Sequence, residues 1–117
     1  METGDTRQML SSTSALSEDE IKTEASKNLP QWQVIRIEGK KLAIQRVHTC
    51  HHYLDALTLL YRIGNMAEAE NHHPDLLLHY KRLTVRYWTH SAKGVTRLDL
   101  DQAKKVDALI TDTTGKD

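Results

Sequence analysis

Between Leu16 and Ile110 the spacing of apolar side chains changes period several times, and each change marks an element. Leu16-Ser17-Glu18-Asp19-Glu20-Ile21 reads as a helix start: Ser17 caps, Glu20 completes a capping box, and Leu16 and Ile21 staple the entry. That helix runs to about Asn28 and is stopped by Pro30. Trp32 to Ile37 alternates as a strand does, Glu38-Gly39-Lys40-Lys41 supplies a turn, and Leu42 to Val47 alternates back, which predicts a β-hairpin. From about His51 to Ala69 the step lengthens. Tyr53, Ala56, Leu57, Leu60, Tyr61, Ile63, Gly64 and Ala67 fall on one side, with Asp55, Thr58, Arg62, Asn65 and Glu68 on the other. This predicts a helix of about five turns at ~3.6 residues per turn.

Pro74 lacks an amide hydrogen and pushes His73 into an extended conformation, so the helical region ends there. Two further strands follow, Leu76 to Tyr80 and Leu83 to His90, with a turn near Lys81-Arg82. In the second, Leu83, Val85 and Tyr87 face one way and Thr84, Arg86, Trp88 and His90 the other. After Gly94, Thr96-Arg97-Leu98-Asp99 forms a second capping box, opening a helix with Leu100, Ala103, Val106 and Ile110 on one stripe. The order α-β-β-α-β-β-α predicts an α+β domain over residues 16–110: a four-stranded antiparallel sheet with helices on one face. Residues 1–15 and 111–117 are polar and unpatterned, and read as tails.

Composition narrows the function classes. In 117 residues, 16 Lys and Arg balance 16 Asp and Glu, and no run of like charge stands out, so non-specific nucleic-acid binding is disfavoured. No apolar stretch approaches the ~18 residues that span a bilayer, and the polar first residues do not resemble a signal peptide. The lone Cys50 has no internal disulfide partner, which fits a cytoplasmic protein. The unusual feature is seven histidines, the side chains that titrate near neutrality unaided.

Two histidine clusters offer chemistry. His48-Thr49-Cys50-His51-His52 presents imidazoles and a thiol on paper, yet it falls where a strand passes into a helix, so it reads better as a junction capped by Thr49 or a neighbour than as a metal site. The second cluster is Glu68, Asn71-His72-His73-Pro74, Thr89-His90 and Asp99. There a helix is forced into a strand, consecutive histidines point different ways, and the end of another strand lies in the same hairpin system. Pattern alone leaves two readings open: a small-ligand site, or exposed loop histidines beside a helix cap. A metal held by these residues is the weaker alternative, since adjacent histidines on a turning backbone rarely aim at one ion.

Glu68-Ala-Glu-Asn71-His72-His73-Pro74-Asp75, then Tyr80, then Thr89-His90-Ser91-Ala92-Lys93-Gly94-Val95-Thr96-Arg97-Leu98-Asp99, resembles the pterin-4a-carbinolamine dehydratase family. The resemblance extends from about Leu16 to Ile110. It implies a four-stranded sheet backed by helices, assembly as a homodimer or homotetramer, and no metal or organic cofactor. It implies dehydration of 4a-hydroxytetrahydropterin to quinonoid dihydropterin, which recycles the cofactor of aromatic amino acid hydroxylases. An acid must protonate the departing hydroxyl and a base must accept a ring proton, tasks suited to imidazoles. By resemblance His72 and His90 do acid–base work, His73 binds and positions the pterin, Glu68 and Asp99 orient imidazoles, and Asn71, Trp88, Thr89 and Ser91 line the substrate.

The chain departs from the family pattern at several places. Trp88 stands where familiar animal members carry a small residue, Ser91 where an acidic one follows the histidine, Leu76 and Leu77 where aromatics often follow His-His-Pro, and Asn71 where some relatives have aspartate. A tryptophan there can stack on a pterin or crowd it. The competing expectation is a protein-binding role, because relatives of this fold also act as dimerisation cofactors of a homeodomain transcription factor or as RuBisCO assembly factors. RuBisCO or a hydroxylase is then the client, and Leu76-Leu77-Leu78 the place to look for its contact.

Overall fold

The computed structural model describes residues 14–114, which form three helices and four strands. In chain order they are α1 (Glu18–Asn28), β1 (Gln33–Ile37), β2 (Lys41–Thr49), α2 (Tyr53–Glu70), β3 (Asp75–His79), β4 (Arg82–Tyr87) and α3 (Arg97–Thr114). The sheet is antiparallel in the order β1-β2-β4-β3. The α+β architecture and element order read from the sequence are therefore the ones observed.

Strand register sorts the side chains. Ile44 lies opposite Val34 and Tyr87, Val85 opposite Leu76, and Leu83 opposite Leu78. These residues form one sheet face, and they pack with Ile21 of α1, Leu59 and Ile63 of α2, and Leu100 and Val106 of α3 in a single core. Burying each such side chain contributes about 1.5–3 kcal/mol. All three helices thus cover the same face.

The helix entries follow chemistry visible in the sequence. At α1 the capping box is complete: Ser17 Oγ accepts from Glu20 N at 3.1 Å, and Glu20 Oε1 accepts from Ser17 N at 2.8 Å. At α2 the expected cap differs, because β2 continues through Thr49 and the cap position falls to His52, whose side chain makes no capping bond. The turn between β3 and β4 is Tyr80-Lys81, one residue earlier than expected, because Arg82 already pairs with His79. Tyr80 takes a positive φ of 58°, unusual for an aromatic residue, and its ring stacks on Tyr53 with centroids 6.2 Å apart.

The apolar face of α2 needs correction. Ala56, Leu59, Ile63 and Ala67 are the residues buried against the core. Tyr61 and Leu54 are each 71% exposed. The helix carries two apolar stripes, and the sequence pattern merged them while omitting Leu59. At the other end of the chain α3 continues past Ile110 into the segment read as a tail, where Arg62 donates to Thr113 Oγ1 and Asp112 Oδ2, both at 2.8 Å.

Asp107 of α3 joins two distant segments, because its Oδ1 accepts from Trp32 Nε1 at 2.8 Å and from Arg46 Nη1 at 2.6 Å. Asp107→Ala leaves the indole N–H of the buried Trp32 without this acceptor and is expected to cost about 1–3 kcal/mol in denaturant unfolding. Glu18→Ala removes exposed ion pairs to Lys22 and Arg36 and should leave the midpoint unmoved. Equal effects for the two variants would contradict this assignment.

Candidate active site

The second histidine cluster sits at the C-terminal end of α2. Asn71 closes that helix in the left-handed region at φ 54°, its N–H returning to the carbonyls of Ala67 and Glu68, and His72 N bonds Ala67 O at 3.2 Å. Pro74 then directs the chain into β3. This reversal turns consecutive imidazoles in different directions. His72 points to the interior and His73 remains exposed.

Asp99, in the first turn of α3, receives His72. Its side chain is fully buried, and His72 Nε2 lies 2.6 Å from Asp99 Oδ1. Asp99 Oδ2 accepts from Thr96 N at 2.8 Å and from Thr89 Oγ1 at 2.8 Å, while the Thr89 and Thr96 hydroxyls lie 2.9 Å apart. Only half of the expected capping box forms here: the carboxylate reaches back to the cap N–H, whereas Asp99 N bonds the Thr96 carbonyl. The Thr96 hydroxyl is turned toward Thr89 and the carboxylate instead. A carboxylate only accepts, so Nε2 of His72 carries the hydrogen of this bond, which Nδ1 does not share.

Beneath His72 lies Tyr87, the last residue of β4. The two rings are nearly parallel at 9°, with centroids 5.7 Å apart. Tyr87 is buried, and burial first, then the charges of Asp99 and Glu70, hold its phenol well above the ordinary value. The sequence placed Tyr87 on the core face and gave no reason to connect it with His72. Strand alternation was the available signal, since it puts residue 87 on the face that Asp99 also meets.

The remaining predicted residues are arranged separately. His73 Nε2 lies 2.9 Å from Glu68 Oε1, with both side chains largely exposed. His90 begins a turn of 3₁₀ helix, His90–Ala92, and its ring packs on Trp88 with centroids 3.8 Å apart. Ser91 and Asn71 are exposed, while the Thr89 hydroxyl is engaged with Asp99. His72, Thr89 and Asp99 are thus joined directly, and Glu68–His73 and Trp88–His90 form two pairs beside them.

The first histidine cluster is dispersed. Cys50 is buried with its N–H bonded to Lys81 O at 2.9 Å, and His51 and His52 are exposed. His48 shares the helix-side face with Leu83, and burial, then the charges of Arg46 and His51, lowers its pKa. Among the described residues no group of three or more His, Cys, Asp or Glu is arranged to hold a metal ion.

Tyr87 provides a test of this packing. Its raised pKa means that the unfolded chain releases the phenolic proton first, so the contribution is full below about pH 10 and declines as pH rises past that value. Among the described residues its hydroxyl makes no hydrogen bond. Tyr87→Phe should therefore change stability by less than about 1 kcal/mol at neutral pH and reduce the alkaline loss, measured by unfolding between pH 7 and pH 11. An unchanged alkaline loss would contradict the assignment.

Comparison with known proteins identifies the family. The sequence profile described as pterin 4 alpha carbinolamine dehydratase matches residues 14–109. A Chlorobium limicola protein provisionally named a pterin-4-alpha-carbinolamine dehydratase is 40% identical over 96 residues, covering 82% of this chain and 83% of its own. A Syntrophotalea carbinolica protein with the same provisional name is 38% identical over 82 residues, covering 70% and 72%. The crystal structure of a transcriptional coactivator/pterin dehydratase from Brucella melitensis superposes with a TM-score of 0.71 at 30% identity, covering 81% of this chain and 97% of that one. With its profile match spanning nearly the whole described chain, and with His72 and His73 just after α2, His90 just after β4 and Asp99 in the first turn of α3, this chain belongs to the pterin-4a-carbinolamine dehydratase family.

Proposed function

We propose that the protein dehydrates a 4a-hydroxytetrahydropterin to the quinonoid dihydropterin by proton transfer through histidines. The observation that carries this reading is the His72–Asp99 pair, in which a buried carboxylate fixes Nε2 and leaves Nδ1 of a partly exposed imidazole for exchange. In the reaction one proton goes onto the 4a-oxygen, the C4a–O bond breaks, N5 loses its proton and the C4a=N5 bond forms. Water and the quinonoid product account for every atom.

His72 and His90 exchange these protons. An imidazole can both give and accept a proton, which suits it to either task. His73, steadied by Glu68, binds and positions the ring, with Asn71 and Ser91 at its edge. Thr89 acts through Asp99, because its hydroxyl is already given to the carboxylate. A neutral, polar heterocycle suits a chain of zero formal charge.

A second reading, contact with another protein chain, is favoured by the outward stripe of α2. Leu54 and Tyr61 are exposed there, Leu57 is half-buried between them, and nothing lies within 4 Å of where a Cβ on Gly64 would be. On the sheet edge, Leu77 of β3 is also exposed. A second copy of the chain is the simplest occupant, giving a homodimer or homotetramer, and a client such as RuBisCO or a hydroxylase is the alternative.

Chemically generated 4a-hydroxytetrahydropterin decides between catalysis and binding alone. Wild type should accelerate formation of the quinonoid product, and His72→Ala and His90→Ala should each lose about 10²-fold or more of that rate. A wild type no faster than buffer would contradict the enzyme reading and favour the partner-binding one.

A further inference from the structure

We propose that Trp88 is a positioning residue that braces the His90 imidazole, and that it is not a surface on which the substrate ring stacks. This rests on the dehydratase reading for its consequence in turnover, but the brace itself is a matter of geometry. His72 and His73 each meet a carboxylate, Asp99 and Glu68. His90 has a different neighbour. It is exposed at the start of a short 3₁₀ turn, and its ring lies 3.8 Å from the Trp88 ring, centroid to centroid, at an interplanar angle of 22°.

At that separation the imidazole lies face to face on the indole. Lys41 Nζ also lies over the same indole, 5.0 Å from its centroid, from the start of β2. The indole is thus occupied by groups of this chain. Trp88 directly follows the last residue of β4, and His90 opens the turn two residues later, so the stack ties that turn to the strand end. A small residue at position 88 would leave an exposed imidazole on a turn free to change rotamer, with no carboxylate among the described residues to hold it. The aromatic side chain supplies the restraint that the acidic partners give to His72 and His73.

Proton magnetic resonance reads the brace without turnover. In wild type the His90 ring protons should be shifted upfield by the indole ring current, and the shift should vanish in Trp88→Ala and persist, reduced, in Trp88→Phe. Turnover should then show an about tenfold lower kcat for Trp88→Ala, with KM changed by less than about twofold, and Trp88→Phe should recover most of the rate. Unshifted His90 protons in wild type would overturn the brace. So would a Trp88→Ala variant whose KM rises at constant kcat, because that marks a surface that binds substrate. Shifted His90 protons in a wild type without turnover would support the brace and count against the enzyme reading alone.

Discussion

Asp99 is the group on which the rest of the site depends. An ionised carboxylate removed from water costs several kcal/mol unless donors replace its hydration, and here they come from three segments of chain. Thr96 gives its backbone N–H from the start of α3, Thr89 its hydroxyl from beyond β4, and His72 its Nε2 from the end of α2. The first turn of α3 adds the favourable field of its exposed amide groups. One buried charge thereby fixes the relation between a helix end, a strand end and a helix start. Loss of any donor leaves the others aimed at an incompletely satisfied carboxylate.

The candidate site lies around the end of β4, where two consecutive aromatic residues each meet an imidazole. Tyr87 lies against His72 and Trp88 lies against His90. Between them Thr89 bonds Asp99 and pairs its backbone with Gly94, its N–H reaching Gly94 O at 2.8 Å. The three histidines consequently differ in restraint. Among the described residues, His72 is held by a buried acid and a ring, His73 by an exposed acid, and His90 by a ring. A division of labour between proton transfer and substrate positioning is a natural consequence of such unequal environments.

Much of this was legible in the chain before its coordinates. Ser17 with Glu20 announced α1, Pro74 marked the conversion of helix into strand, and the alternation from Leu83 to Tyr87 assigned the two sheet faces correctly. The resemblance supplied the candidate site residues. What escaped depends on contacts distant in sequence. The two stripes of α2 have nearly the same residue types, so only packing against the sheet separates Leu59 from Tyr61. Tyr87 looked like ordinary core because the imidazole it supports comes from another element. The Thr96 hydroxyl left its expected capping role because Thr89, seven positions earlier, lies 2.9 Å away. The helix cap at His52 moved because β2 gained pairing with β4 as far as Thr49.

The proposed proton exchange at His72 turns on which of its nitrogens carries the hydrogen. Long-range nitrogen–proton correlation spectra of the imidazoles, recorded above the titration range and assigned with the His72→Ala variant, report the tautomer directly. Hydrogen on Nε2, bonded to Asp99 and leaving Nδ1 unprotonated, is the expected result. Hydrogen on Nδ1 in the neutral ring would contradict it, because Asp99 would then not hold the imidazole in the form from which proton exchange is proposed to proceed.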